Sequence, residues 1–349
     1  MNWKSQFESI GVYLPEKRLS TKEIVSNIDL PAIKKFELLT GIKERRVCSP
    51  GEDSYTLAFS AARDCLNHSK YQAKDLDLIL CCSISKHIDE SSYQYEPPLS
   101  IYIKDYIGAK AAINFDITNA CAGMLTGVYI ADSFIQRGAI RSCMVVSGEY
   151  ITSLKDHAVA NSRKIMSSEL ASLTVGDAGA AVILERVTNG GEGLVASNFT
   201  TISKYNHLCI GKQSRKSPGF FMKTKAKKIH QVSISSSKAI VRAALKENNL
   251  SFDQIDYVIP HQTSRSSILS GAKDYTVYFG TRPGKIIINL RNYGNTASTT
   301  HFLALYRYLN EKRFRQGDRI MLLSFASGLV IGVVIFPMKR MVKQYGNKN

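Results

Sequence analysis

No Cys-x-x-Cys pair and no zinc-like ligand spacing occur in the 349 residues, and the cysteines are an odd seven, at positions 48, 65, 81, 82, 121, 143 and 209. A disulfide framework and a structural metal are therefore not expected. No low-complexity tract is present, and at 44% hydrophobic and 21% charged residues the chain has the composition of a folded globular protein. No apolar run is long enough to span a bilayer as a helix. The longest late one, "GLVIGVVIF", is too short, and "MNWKSQFESIG" lacks an apolar secretory core. These absences lead to the expectation of a cytoplasmic chain that does not enter a membrane.

Acidic residues are scarce: 29 Asp and Glu stand against 46 Lys and Arg, a formal charge of +17. Such a surface favours an acidic partner, whether nucleic acid, an anionic membrane, an acidic carrier protein or a phosphorylated cofactor. The densest stretch, "KQSRKSPGFFMKTKAKK" from Lys212 to Lys228, carries cations at 212, 215, 216, 223, 225, 227 and 228. A solvated loop explains it as well as a docking surface does. Phe220 and Phe221 would suit base stacking, but no RNA-binding signature or zinc-finger spacing accompanies them, so nucleic acid is not the expected partner.

The chain is longer than one ordinary domain of roughly 100 to 200 residues. Strand-like runs ("SIGVYLP", "LDLILCCSIS", 111 to 118, "SCMVVSGEY", "GAAVILERV") alternate with helical ones, which predicts α/β layers on a largely parallel sheet. Ser20 and Glu23 have capping-box spacing at a helix start. From about 186 to 228 the composition is rich in Gly, Asn, Ser and Lys, and a linker with a surface excursion is expected there. The same alternation then returns through "IDYVIPHQ", "KIIINL", "DRIMLLSFAS" and "LVIGVVIFP". This predicts two similar halves, 1–185 and 186–349, as in a duplicated fold.

Four segments have residues suited to chemistry. In "FDITNACAGM" a strand turns sharply into a helix and puts Cys121 near the first helical turn, where unpaired N–H groups favour a thiolate. Leu125, Val128, Ala131 and Ile135 recur on one face of that helix, so it is expected to be buried. Taken alone, Cys121 reads more readily as a core thiol. In "YVIPHQTS", His261 ends an apolar strand at a proline break, a position where α/β sites collect, although a lone histidine there could be structural. In "RNYGNTASTTHFLAL", Gly294 and Asn295 suit a tight turn and Thr296 or Ser298 a helix cap, so turn chemistry alone accounts for the segment. "SFASGLVIG" places small residues between two strands, which lets a backbone N–H approach a ligand.

In their order, and with "VGDAGAAV" between the first two, these segments make the chain resemble the β-ketoacyl-ACP synthase III family of the thiolase superfamily. The resemblance runs from "IGVYLPEKRLSTKEI" and "TGIKERR" to "LSFASGLVIGVVIF". It implies a thiolase-like five-layered αβαβα fold of two similar halves and a homodimer. It also implies an acyltransferase that uses acyl-ACP or acyl-CoA as substrate and needs no cofactor. Cys121 would carry the acyl group as a thioester, His261 and Asn295 would stabilise the enolate of a malonyl-type or β-ketoacyl extender, and the backbone N–H groups of Cys121 and Ser327 would form an oxyanion hole. Positions that hold a tryptophan and an arginine in coenzyme A-binding members are Lys35 and Leu39 here, and the arginine expected after "PHQ" is Ser266, beside Arg265. Loading from acyl carrier protein is therefore favoured, with Lys223, Lys227, Lys228 and Arg265 on the basic docking side. The aromatic residue that limits the acyl pocket across the dimer is replaced by Glu96, next to Pro97, which points to a ketosynthase of specialised fatty-acid or polyketide-type secondary metabolism. The competing readings are an acyltransferase that passes the acyl group to oxygen or nitrogen, and a non-catalytic or nucleic-acid-binding protein.

Overall fold

A computed structural model describes residues 3–26, 28, 33, 35–89, 92–161, 168–187, 193–214 and 219–346. Ten strands form its two main sheets. Five lie in the first half: β1 (Lys4–Tyr13), β2 (Leu78–Cys81), β3 (Ile113–Asp116), β4 (Ser142–Glu149) and β5 (Ala178–Val187). Five follow: β6 (Ala196–Thr201), β7 (Tyr257–Pro260), β8 (Lys285–Ile286), β9 (Arg319–Ala326) and β10 (Val330–Pro337). The first sheet runs β1-β5-β4-β2-β3 and the second β6-β10-β9-β7-β8. Adding five to each label of the first sheet yields the second, so the halves share one topology.

The sheets are mixed rather than largely parallel. β2 pairs in parallel with β3 and β4, whereas β5 pairs antiparallel with β1 and β4, and the second sheet repeats this. β9 and β10 are joined only by residues 327–329, a connection that antiparallel neighbours alone permit, whereas β4 and β5 pair antiparallel across a longer connection that contains the helix Leu154–Asn161. The stretch expected to be linker also contributes structure: β6 is the edge strand of the second sheet, and Cys209–Gln213 pairs with Phe220–Thr224 in a two-stranded ribbon. "ASNFTT" lacks the apolar content of a central strand because only one of its sides is paired.

Two helices fill the space between the sheets: α3 (Gly123–Gln136) and α6 (Thr300–Asn310). Leu125, Val128, Ala131 and Ile135 of α3 have no exposed surface and share a core with Phe7, Val182, Phe302, Leu322 and Val334, residues of both sheets and of α6. Outside the first sheet lie α1 (Ser54–Asn67) and α2 (Leu99–Ile107), and outside the second α4 (Ala226–Glu247) and α5 (Arg265–Phe279). Helix, sheet, helix, sheet, helix is a five-layered αβαβα stack. The predicted capping box is formed, with Ser20 Oγ accepting from Glu23 N–H at 3.1 Å and Glu23 Oε2 from Ser20 N–H at 2.7 Å.

Candidate active site

Each central helix is entered through a single 3-10 turn, Ala120–Ala122 before α3 and Ala297–Thr299 before α6. Both turns begin on an alanine held in the left-handed region, Ala120 at φ 45° and Ala297 at φ 50°. A side chain there costs on the order of 1–3 kcal/mol and persists only where the surroundings over-determine the backbone, as they do at functional sites. The two halves thus bring equivalent strained turns together at the molecular centre, and Cys121 lies on the first.

Around Cys121 two small apolar clusters meet. One includes Ala120, Ala122, Phe199, Ala326 and Val330; the other includes Ile84, Ile151, Leu154, Val175, Met222 and Ala297. This lining pushes the Cys121 thiol well up from its ordinary range, chiefly by burial and then through Cys209 and Glu149. Burial of the charged form thus opposes the helix N-terminus, which favours the thiolate.

His261 directly follows β7, and its backbone N–H donates to Leu323 of β9 at 2.9 Å. One residue on, Ser324 Oγ donates to the Cys121 carbonyl at 3.4 Å. Adjacent residues of β9 therefore hold both the histidine and the cysteine turn. His261 is 4% exposed, and burial, followed by the neighbouring His301, lowers its pKa to about 3. It is a neutral imidazole at any ordinary pH and can donate one ring N–H.

Asn295 is fixed by its backbone. It forms an isolated parallel bridge with Val175, donating to Thr174 O at 2.9 Å and accepting from Gly176 N–H at 3.0 Å. The preceding Gly294 has φ +66°, and a Cβ there would stand 2.5 Å from Thr174 O, so glycine is required. Asn295 Oδ1 accepts from Ala297 N–H at 3.0 Å, which commits the amide oxygen and leaves the Nδ2 amino group as the donor end. Ser327 directly follows β9, whose last residue, Ala326, packs with Cys121.

Several supporting residues were not legible in the sequence. Glu149, at the end of β4, is fully buried and accepts from Ile84 N–H at 3.0 Å, Ser85 N–H at 3.2 Å, Ser147 Oγ at 3.1 Å and Ser298 Oγ, so it ties the Asn295 segment to the loop after β2. Asp177 of "VGDAG" is likewise buried and accepts from Ile151 N–H and Thr152 N–H at 2.8 and 2.9 Å, and from Cys48 N–H at 2.8 Å. The only available signal was an acid inside an apolar strand context, which sequence alone does not separate from a surface residue.

The expected entrance residues fall in two places. Arg265, at the start of α5, packs on Gly41, and Ser266 Oγ donates to Leu39 O at 3.1 Å, so the "TGI" and "PHQ" neighbourhoods do meet. Leu39 is 61% exposed, and Lys35 is exposed too. Lys223, Lys227 and Lys228 are exposed around the start of α4. Arg215 and Lys216 of the same basic stretch lie outside the described residues. Glu96 and Pro97 are exposed just before α2 and belong to no cluster around Cys121 within one chain. Among the described residues no group of His, Cys, Asp and Glu is placed to hold a metal.

Residues 115–203 match the family description 3-oxoacyl-[acyl-carrier-protein] synthase III, and residues 245–338 match its C-terminal part. These segments hold the end of β3, β4 to β6 and β7 to β10, with all three candidate residues. The chain belongs to the 3-oxoacyl-ACP synthase III family. Members are condensing enzymes of the acyltransferase type. The β-ketoacyl-ACP synthase III of Clostridioides difficile is 26% identical over 96% of this chain and 98% of that relative. The fold matches the crystal structure of 3-oxoacyl-ACP synthase III from Aquifex aeolicus with a TM-score of 0.80, at 22% identity, over 96% of this chain and all (100%) of the other. OleA of Xanthomonas campestris matches with a TM-score of 0.83, at 21% identity, over 97% and 99%. The five-layered fold expected from the motifs is the fold of these neighbours.

One stability consequence follows from the buried imidazoles. Burial lowers the pKa of His87, His230, His261 and His301, the last two to about 3 and about 4. Above about pH 6.5 these groups are neutral in both folded and unfolded chain. As pH falls below that, the unfolded chain takes up protons that the folded one refuses, and each such group lowers stability by up to about 1.4 kcal/mol per pH unit. Glu149 and Asp177, raised by burial, act with the opposite sign and reduce the net fall. Urea midpoints are expected to drop between pH 6.5 and pH 5; a flat profile over that window would contradict this reading.

Proposed function

We propose that this family member loads an acyl group on Cys121 and joins it to a malonyl- or β-ketoacyl-thioester in specialised fatty-acid or polyketide-type biosynthesis, with residues 1–185 and 186–349 as its two halves. The observation that carries this is the convergence on β9: neighbouring residues, Leu323 and Ser324, hold His261 and the Cys121 turn. In the loading step Cys121 Sγ attacks the thioester carbonyl, the carrier thiol leaves, and the cysteine proton passes to it. Because burial disfavours isolated charge, the thiolate exists only transiently, as its proton is transferred. The backbone N–H groups of Cys121 and Ser327 donate to the tetrahedral oxyanion.

In the second step the malonyl carboxylate leaves as carbon dioxide and the electron pair becomes an enolate. Neutral His261, through its ring N–H, and Asn295, through Nδ2, donate to the enolate oxygen, the arrangement that stabilises developing charge with little reorganisation. The enolate carbon attacks the Cys121 thioester, a C–C bond forms, and the sulfur is expelled and takes a proton from solvent. Transfer to an oxygen or nitrogen nucleophile would call for a base. A histidine lowered to about 3 is a poor base, which favours condensation. An intact-mass adduct with acyl-ACP or acyl-CoA, lost in Cys121→Ala, tests the loading; no adduct from any donor would sink the reading.

The acyl donor is proposed to be acyl carrier protein. Lys223 stands exposed on the ribbon and Lys227 and Lys228 just beyond it, and Met222 of the ribbon packs against the same Ile151, Val175 and Ala297 cluster as Cys121, so an acidic carrier docked there has its thioester near the nucleophile. Reversing all three charges to glutamate is expected to raise KM for acyl-ACP about tenfold while leaving KM for acyl-CoA within about twofold. Equal effects on both donors would remove the lysines from carrier docking. The enzyme is further proposed to be a cytoplasmic homodimer. β3 is an unpaired sheet edge on which Ile113 is 66% exposed, with Tyr95 at 82% and Ile101 at 44% on the flanking segment. Among the described residues no helix is long and apolar enough to cross a membrane.

A further inference from the structure

His301 lies in "RNYGNTASTTHFLAL" but has no role in the chemistry assigned to that segment, yet it has no exposed surface at the second position of α6. Its Nε2 donates to the Leu323 carbonyl at 3.1 Å, and the backbone N–H of His261 donates to the same carbonyl at 2.9 Å. One oxygen of β9 thus takes a bond from the residue that follows β7 and another from the first turn of α6, filling both of its acceptor sites. The bond also fixes the His301 tautomer with hydrogen on Nε2. The two rings lie 5.7 Å apart between centroids, inclined by 35°.

Nδ1 of His261 has no hydrogen-bond partner among the described residues. Nothing bonded to the ring on that side aims its other nitrogen. What remains is the backbone bond to Leu323 and the packing of the ring beside His301. α6 is also the helix into which the Asn295 turn runs, so His301 joins the element that carries one donor to the residue that is the other.

We propose that His301 is a positioning residue for condensation: by bonding the carbonyl that holds His261 and packing against its ring, it sets the aim of His261 and the spacing between the His261 and Asn295 donors. This rests on the reading of those two residues as enolate donors. Loading of Cys121 does not need that spacing, so the two half-reactions should separate. His301 also contributes, after burial, to keeping His261 uncharged. A misaimed donor loses far more in the transition state than in substrate binding, so the effect belongs in kcat.

The test compares wild type, His301→Leu and His301→Gln, with His261→Ala as reference. Acyl loading is followed by intact mass and condensation with a malonyl thioester by product formation. His301→Leu is expected to load within about threefold of wild type, and to lose about tenfold or more in condensation kcat with KM nearly unchanged. Glutamine carries an N–H that can reach the Leu323 carbonyl, and should recover most of that loss. If the leucine variant does not fold, His301→Asn, whose shorter carboxamide cannot reach, takes its place. Wild-type condensation in His301→Leu alongside an inactive His261→Ala overturns the positioning role alone. Loss of loading and condensation together in folded Leu and Gln variants also overturns it, marking His301 as merely structural. A His261→Ala that condenses normally overturns both this inference and the donor reading beneath it.

Discussion

Cys121→Ala is expected to abolish turnover, with condensation falling by at least about a thousandfold and no acyl adduct forming from any donor. The size of the effect follows from the site having no substitute nucleophile in place. Cys82 lies beneath α3, fully buried and with its thiol pushed up by burial; Cys209, on the ribbon, is hydrogen-bonded to Thr224 at 3.4 Å. Fold stability should change little, because the Cys121 side chain sits at the margin of two small clusters rather than in the main core. The check is a steady-state assay beside thermal unfolding. Residual condensation within tenfold of wild type would show that the covalent intermediate is not on the pathway.

Asn295→Ala and His261→Ala are expected to split the reaction. Each should still load Cys121, since loading uses backbone N–H donors, and each should lose condensation by about 10²–10³, roughly 2.7–4 kcal/mol of transition-state stabilisation. Asn295→Ala leaves the backbone bridge to Val175 intact, because both of its bonds are main-chain ones. His261→Ala likewise keeps the bond from its N–H to Leu323. Asn295→Asp is a sharper variant: it preserves shape, replaces the donor with a charge that repels the enolate, and should condense no faster than alanine. Single-turnover loading by mass, followed by addition of a malonyl thioester, reads both halves. Full condensation by either alanine variant would remove that residue from enolate stabilisation.

Reactive residues were legible in the sequence where chemistry leaves a local trace. Cys121 follows a strand and opens a helix, His261 ends a strand at Pro260, and Asn295 follows a glycine, so each announces itself within a few residues. What holds them left no such trace. Glu149 and Ser298 are 149 residues apart, and His301 and Leu323 are 22 apart on different elements. Such bonds exist only once α6 lies between the sheets. The alternation of strands and helices revealed the α/β layers, but not that half the pairings are antiparallel, since β4 and β5 read as apolar runs whichever way they point. The burial that raises the Cys121 thiol was hidden for the same reason. A helix N-terminus can be read from spacing, whereas the apolar lining of Ile151, Val175 and Met222 comes from segments far along the chain.

The measurement that bears most directly on carbon–carbon bond formation at Cys121 is a chase of the acyl-enzyme. The protein is loaded with an acyl-ACP or acyl-CoA, freed of excess donor, and mixed with a malonyl thioester while intact mass and carbon dioxide release are followed. Condensation predicts that the adduct on Cys121 disappears at the rate at which carbon dioxide and a β-ketoacyl thioester appear. An adduct that persists against malonyl and β-ketoacyl donors, and leaves only for an oxygen or nitrogen nucleophile, would contradict it.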